Sequence, residues 1–185
     1  PTGSAKDTEN ETTTVNLIVG VDRYSDVSDI PLYFYSSVRD SCAGRLDDAK
    51  SVKVTPTTDN MSRSDAAHRA KKEKDAYVVM LELRSTSTRV GRQMTRDLND
   101  VYIEYVVFAP VSAKVVAKGK AFQRKQSLGG VLTRQPTGRN TIADHDHWLK
   151  QAARDAAEDI LASFRIHPPK GPIALSFRLP FGKGI

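Results

Sequence analysis

Apolar and polar residues alternate most regularly between Asp75 and Phe122. Tyr77, Val79, Leu81 and Leu83 fall on one side of a period-two pattern, and Val78, Met80, Glu82 and Arg84 on the other, which predicts a strand over Tyr77–Ser85. Val101–Phe108 is apolar on both sides except at Glu104 and predicts a second strand. Ser112–Phe122 predicts a third, with Ala113, Val115, Ala117, Gly119 and Ala121 set against Lys114, Val116, Lys118, Lys120 and Phe122. The first set is small enough to let a helix approach. The second carries three lysines and should face water. A reversal at Ala109-Pro110-Val111 joins the last two strands as a hairpin.

The flanking sequence supplies further elements. Val15–Val21 is almost continuously apolar, as in a strand buried on both faces, and Asp22–Pro31 reads as a loop. Leu32, Tyr35, Val38, Cys42 and Leu46 recur at helical spacing within a helix over Leu32–Ala49. Ser51–Thr55 alternates and should stop at Pro56; Ser62 or Ser64 caps a helix over Asp65–Lys74. Asp144–Phe164 is the longest helix, with Asp144 or Asp146 as cap. Its apolar stripe is Trp148, Leu149, Ala152, Ala153, Ala156, Ile160, Leu161 and Phe164. Ile173, Leu175, Phe177 and Leu179 alternate with Ala174, Ser176 and Arg178 between Pro172 and Pro180, as an edge strand or an arm lying on a neighbour would. The expected fold class is α/β (α+β): one mixed sheet of about five strands, in the order β-α-β-α-β-β-β-α, with helices packed on it. Residues 1–14 read as a flexible leader, 15–166 as a single domain and 167–185 as an extended, Pro-flanked C-terminal arm.

Composition adds a partner class. The 185 residues carry a net charge of +6, unevenly spread. Residues 1–61 hold 6 Lys+Arg against 10 Asp+Glu, residues 62–139 hold 16 against 7, and residues 140–185 hold 6 against 5. The basic excess thus coincides with the three consecutive strands, and it suits an anionic partner. No apolar run approaches the roughly 20 residues of a membrane-spanning helix.

Candidate chemistry is sparse. Cys42, the one cysteine, fits a helix position as a small buried side chain and cannot build a thiolate metal site alone. Asp22, Asp26 and Asp29 lack the spacing of a calcium loop. Asp144-His145-Asp146-His147 has ligand-type residues, but at a helix start they diverge; capping with solvent-exposed histidines is the simpler reading. His68 reads as a surface or half-buried side chain. Asp47 and Asp48 face apart on a helix, and Gly129-Gly130 lacks the Gly-Lys-Ser/Thr ending of a phosphate loop. No catalytic residue, cofactor or metal is expected. Two other classes stay open: a non-specific nucleic-acid-binding protein on the same basic surface, and a hydrolase or metal-dependent enzyme with a site near Asp22–Asp29 or Asp144–His147.

The strand opened by Asp75-Ala76-Tyr77-Val78-Val79, the Asp100–Phe108 strand turning into Lys114-Val115-Val116-Ala117-Lys118-Gly119, and the closing Ala-rich helix Trp148–Phe164 together resemble one known domain. It is the α/β domain at the N-terminus of TolB and of related bacterial envelope proteins, including curli-secretion (CsgG-like) proteins and penicillin-binding-protein activator lipoproteins. The resemblance covers about residues 15–166 and implies a periplasmic or envelope setting, a role in protein–protein contact or assembly, and no catalytic residues. The chain departs from that pattern in its Arg-rich 86–100 connection, its 126–141 Gly-Gly loop and its tail. The expected binding residues are Arg89, Arg92 and Arg96 in the first loop, Lys114, Lys118 and Lys120 on the lysine face, and Phe177 in the arm. The partner is expected to be a protein or a second copy of the chain, or else an anionic polymer or membrane surface, with nucleic acid behind these.

Overall fold

The computed structural model describes residues 14–23, 30–86, 98–123 and 141–166. Five strands form one sheet: β1 (Val15–Asp22), β2 (Val52–Asn60), β3 (Ala76–Ser85), β4 (Val101–Phe108) and β5 (Val115–Phe122). Three helices accompany them: α1 (Leu32–Asp47), α2 (Arg63–Lys72) and α3 (Ile142–Ser163). The spatial order is β2-β1-β3-β4-β5. β1 lies parallel to β2 and β3, whereas β3, β4 and β5 are successively antiparallel. The expected element order and mixed sheet are therefore present.

Helices α1 and α3 share one face of the sheet, hereafter the first face. There Leu17, Val19 and Val21, then Val79, Leu81 and Leu83, then Ile103, Tyr105 and Val107, meet Phe34, Val38, Cys42 and Leu46 of α1 and Leu149, Ile160 and Leu161 of α3. Burial of each large side chain contributes about 1.5–3 kcal/mol, so this layer dominates stability. The small residues Ala117 and Ala121 of β5 join it from the edge, as the alternation predicted. Among the described residues, helix α2 alone covers the second face. It buries Ala66 and Ala70 against Ile18, Val78, Met80, Val106 and Phe108. That cover reaches only one end of the sheet.

Several boundaries differ from expectation, for physical reasons. β2 runs through Pro56 to Asn60, because an edge strand tolerates a residue without an N–H; its pairing with β1 shifts between Val19 and Val21. β1 extends one residue further, so Asp22 belongs to a strand and not to a loop. Leu32 opens α1 but is 74% exposed, and Phe34 takes its place in the core. α2 is capped by Ser62, whose side chain and Asp65 form a reciprocal capping box, and it ends at Lys72. α3 begins at Ile142 behind a second such box, with Thr141 as cap and Asp144 as the answering carboxylate. Lys114 precedes β5 and sits in a turn where Val111 and Ala113 both have positive φ. The backbone N–H of Val111 donates to the carbonyls of Ala70 and Glu73, which ties this hairpin to the end of α2. Asp26, Asp29, Gly129, Gly130 and the expected leader and arm lie outside the described residues, apart from Thr14.

Candidate functional site: the open half of the second face

Because α2 covers only one end of the second face, the other end of β3, β4 and β5 is left with polar and aromatic side chains. The register sets them in rows. Asp22, Glu82, Glu104 and Lys120 stand side by side across β1, β3, β4 and β5. One step further, Arg84, Tyr102 and Phe122 form a second row. Sequence reading placed Glu82 and Arg84 on the face opposite Leu81 and noted Glu104 as an exception. It could not align them, because alignment needs the strand order.

The rows are coupled by charge and by stacking. Arg84 lies beside two carboxylates, with Nη2 3.1 Å from Glu82 Oε1 and Nε 3.5 Å from Glu104 Oε2. The Glu82 carboxyl is pushed above the usual glutamate range by burial; Arg84 opposes this, while Asp22 and Glu104 add to it. Tyr102 is buried, and Phe122 stacks on it with centroids 5.1 Å apart while remaining 53% exposed. Lys120 Nζ stands 5.1 Å from the Tyr102 ring centroid, a cation–π arrangement. Lys118 and Val116 continue the same side of β5, both exposed. The product is a strip of two lysines, an exposed aromatic and an exposed valine along an edge strand, next to a carboxylate pair already engaged by Arg84.

Of the expected binding residues, Lys118 and Lys120 share this strip, and Lys114 is exposed at the hairpin below it. Arg89, Arg92, Arg96 and Phe177 lie outside the described residues. The other candidates resolve differently. Cys42 is buried, and burial pushes its thiol up to about 12. His145 is buried with its ring edge-on to Trp148, at 5.3 Å between centroids, and is not solvent-exposed as expected. His147 and His68 are exposed. Asp144 is held below the usual aspartate range by its bonds from Thr141. Among the described residues, no group of three or more His, Cys, Asp or Glu is placed to hold a metal ion, and no helix is long and apolar enough to cross a membrane.

A shallow cleft of about 780 Å³ runs between α1 and α3, with Gly44 on one wall. Its lining is polar, and Arg45 crosses it to Glu158 at 2.8 Å. A smaller cleft of about 200 Å³ lies between the edge of β5 and Asp155, Glu158 and Asp159 of α3.

These features define a mixed-sheet α+β domain whose lysine-bearing edge strand β5 pairs with no further strand among the described residues. No family model matches the chain, and no curated protein does. Among solved structures, it is similar to TolB from Acinetobacter baumannii at 11% identity and a TM-score of 0.41, over 82% of this chain and 28% of that one. It is also similar to the PelC dodecamer from Paraburkholderia phytofirmans at 12% identity and a TM-score of 0.39, over 84% of this chain and 90% of that one. A DUF330 protein from Xanthomonas campestris gives 12% and 0.42, over 83% and 84%. The chain thus spans well under a third of the TolB structure. TolB, whose domain the strand pattern resembles, is among these neighbours.

Proposed function

We propose that the chain is a non-enzymatic interaction domain of the bacterial cell envelope that binds an acidic face of a protein partner through the outer strip of β5. The envelope setting rests on the resemblance of its strands and closing helix to TolB-type domains. The observation that carries the binding reading is the placement of Lys118 and Lys120 beside exposed Val116 and Phe122, on the half of the sheet that α2 leaves uncovered. An exposed aromatic flanked by cations suits an interface, where the ring supplies buried area and the rim charges set orientation and encounter rate. Lys114 extends the positive rim to the hairpin.

The test compares wild type with the Lys118→Glu/Lys120→Glu double variant on immobilised polyglutamate. Wild type should be retained at low salt and released as salt rises. The double variant should flow through and keep its circular dichroism, with a lowered thermal midpoint because Lys120→Glu sets a carboxylate opposite Glu104 and removes the cation over Tyr102. Coincident elution of the two would remove this face as the contact. A mixed-sequence oligonucleotide run in parallel separates the nucleic-acid reading, which requires stronger retention there and a steeper salt dependence.

A further inference from the structure

The two margins of the sheet differ in kind. β2 carries Pro56, which has no N–H, and the carbonyls of Thr57 and Thr58 already accept from Arg39 and Arg23. That margin is blunted against a further strand. β5 has no proline, and among the described residues nothing pairs with its outer side. On the first-face side the β5 edge meets the acidic wall of Asp155, Glu158 and Asp159. On the second-face side it shows Val116 and Phe122 with the Lys118 and Lys120 side chains between them.

Residues 167–185 match both sides. They contain Lys170, Arg178 and Lys183 and no carboxylate. In the alternating stretch, Ile173, Leu175, Phe177 and Leu179 share one face and Ala174, Ser176 and Arg178 the other. Placed along β5, the apolar set lies against Val116, Phe122 and the aliphatic stems of Lys118 and Lys120, and Arg178, with the small Ala174 and Ser176, turns toward the acidic wall.

The chain cannot easily supply this strand to itself. β1–α1–β2 steps one way over the first face, and β2–α2–β3 steps the opposite way over the second, so the two crossovers share one hand. A strand laid parallel to β5 after α3 would step away from β2 over the first face and reverse that hand. An antiparallel strand would have to start at the far end of β5. Phe164 packs on Tyr77, at the end where β3 and β5 begin. Seven residues from Ile166 reach at most about 25 Å, whereas β5 alone is about 27 Å long and lies further across the sheet.

We therefore infer that the free edge of β5 receives the Ile173–Leu179 segment of a second copy of this chain, adding a strand in trans. This uses the edge of β5 and shares Val116 and Phe122 with the face proposed for the acidic partner, so the two occupants compete there; retention on polyglutamate tests the partner and the crosslink below tests the arm.

The experiment mixes two full-length chains, one with Val116→Cys and one with Leu175→Cys, in a glutathione redox buffer. The expected result is a mixed disulfide that exceeds either homodimer. Wild type should also sediment as oligomers, and Phe177→Asp should sediment as a monomer with unchanged circular dichroism. A wild type that stays monomeric at every concentration overturns the inference. So does a mixed disulfide that forms as readily with Thr55→Cys on β2, or a crosslink seen only when both cysteines share one chain.

Discussion

The hydroxyl of Tyr105 lies over Gly119, its register partner on the neighbouring strand: a Cβ at Gly119 would stand 2.5 Å from the phenolic oxygen and 2.7 Å from Cζ. Tyr105 thus covers a glycine at the sheet edge, filling space that a side chain on β5 would otherwise take. Its ring is buried, so it cannot swing away freely. Burial, with Asp159 adding to it, holds the phenol above its usual range. Gly119→Ala should cost roughly 1–3 kcal/mol, measured by urea denaturation. Tyr105→Phe in that background should restore only part of it, since the ring carbons also clash.

Val111 is a β-branched residue at φ 61 in the β4–β5 turn, 65% exposed. Left-handed backbone costs such a residue of order 1–2 kcal/mol, and glycine avoids that cost. Val111→Gly should leave stability unchanged or raise it by up to about 1 kcal/mol, net of glycine's greater freedom when unfolded. The measurement is the denaturation midpoint. A large loss would mean that the bonds from Val111 N–H to Ala70 and Glu73 depend on the valine side chain.

Cys42 sits in the first-face core with its thiol pushed up to about 12 by burial. The nucleophile in thiol exchange is the thiolate. Native protein should therefore react with an aromatic disulfide reagent only as fast as the core opens, and unfolded protein at once. Rapid stoichiometric labelling of native protein would contradict the packing described.

Two sets of carboxylates give pH dependences of opposite sign. Asp65 and Asp144 are held below the usual range by bonds from Ser62 and Thr141. Their contribution is present above the ordinary aspartate value and is lost as pH falls through the lowered one. Glu82 is raised, first by burial. Its contribution is present below the ordinary glutamate value and is lost as pH rises through the raised one. Glu82→Gln, which mimics the protonated form, should therefore gain most on wild type at neutral pH and lose that advantage in acid. Urea midpoints at the two pH values decide this, and a gain independent of pH would contradict the assignment.

The strands most legible in the sequence were those whose two faces meet different surroundings. β5 could be read side by side because Ala117 and Ala121 face a helix and Lys118 and Lys120 face water. β4 was bounded correctly because its apolar run ends at turn residues. β2 was cut short at Pro56, since local sequence does not reveal that a strand lies at an edge. The start of α3 was misplaced by two residues because Asp144 serves equally well as a cap or as the partner of one. The Asp22–Glu82–Glu104–Lys120 row was hidden for another reason: its members are brought together by register across four strands, and no spacing along the chain encodes that.

Helix α2 is fastened to the sheet by the methyls of Ala66, Ala67 and Ala70 and by the Val111 tie, whereas α1 and α3 are embedded in the large core of the first face. Its amides should therefore exchange with solvent through a local opening well below the energy of whole-molecule unfolding. In that opened form no described helix would cover the second face. The protein would then hold one layer of its architecture intact while baring the apolar end of the other, at Ile18, Val78, Met80, Val106 and Phe108, a state that proteases and chaperones would meet before any unfolded chain.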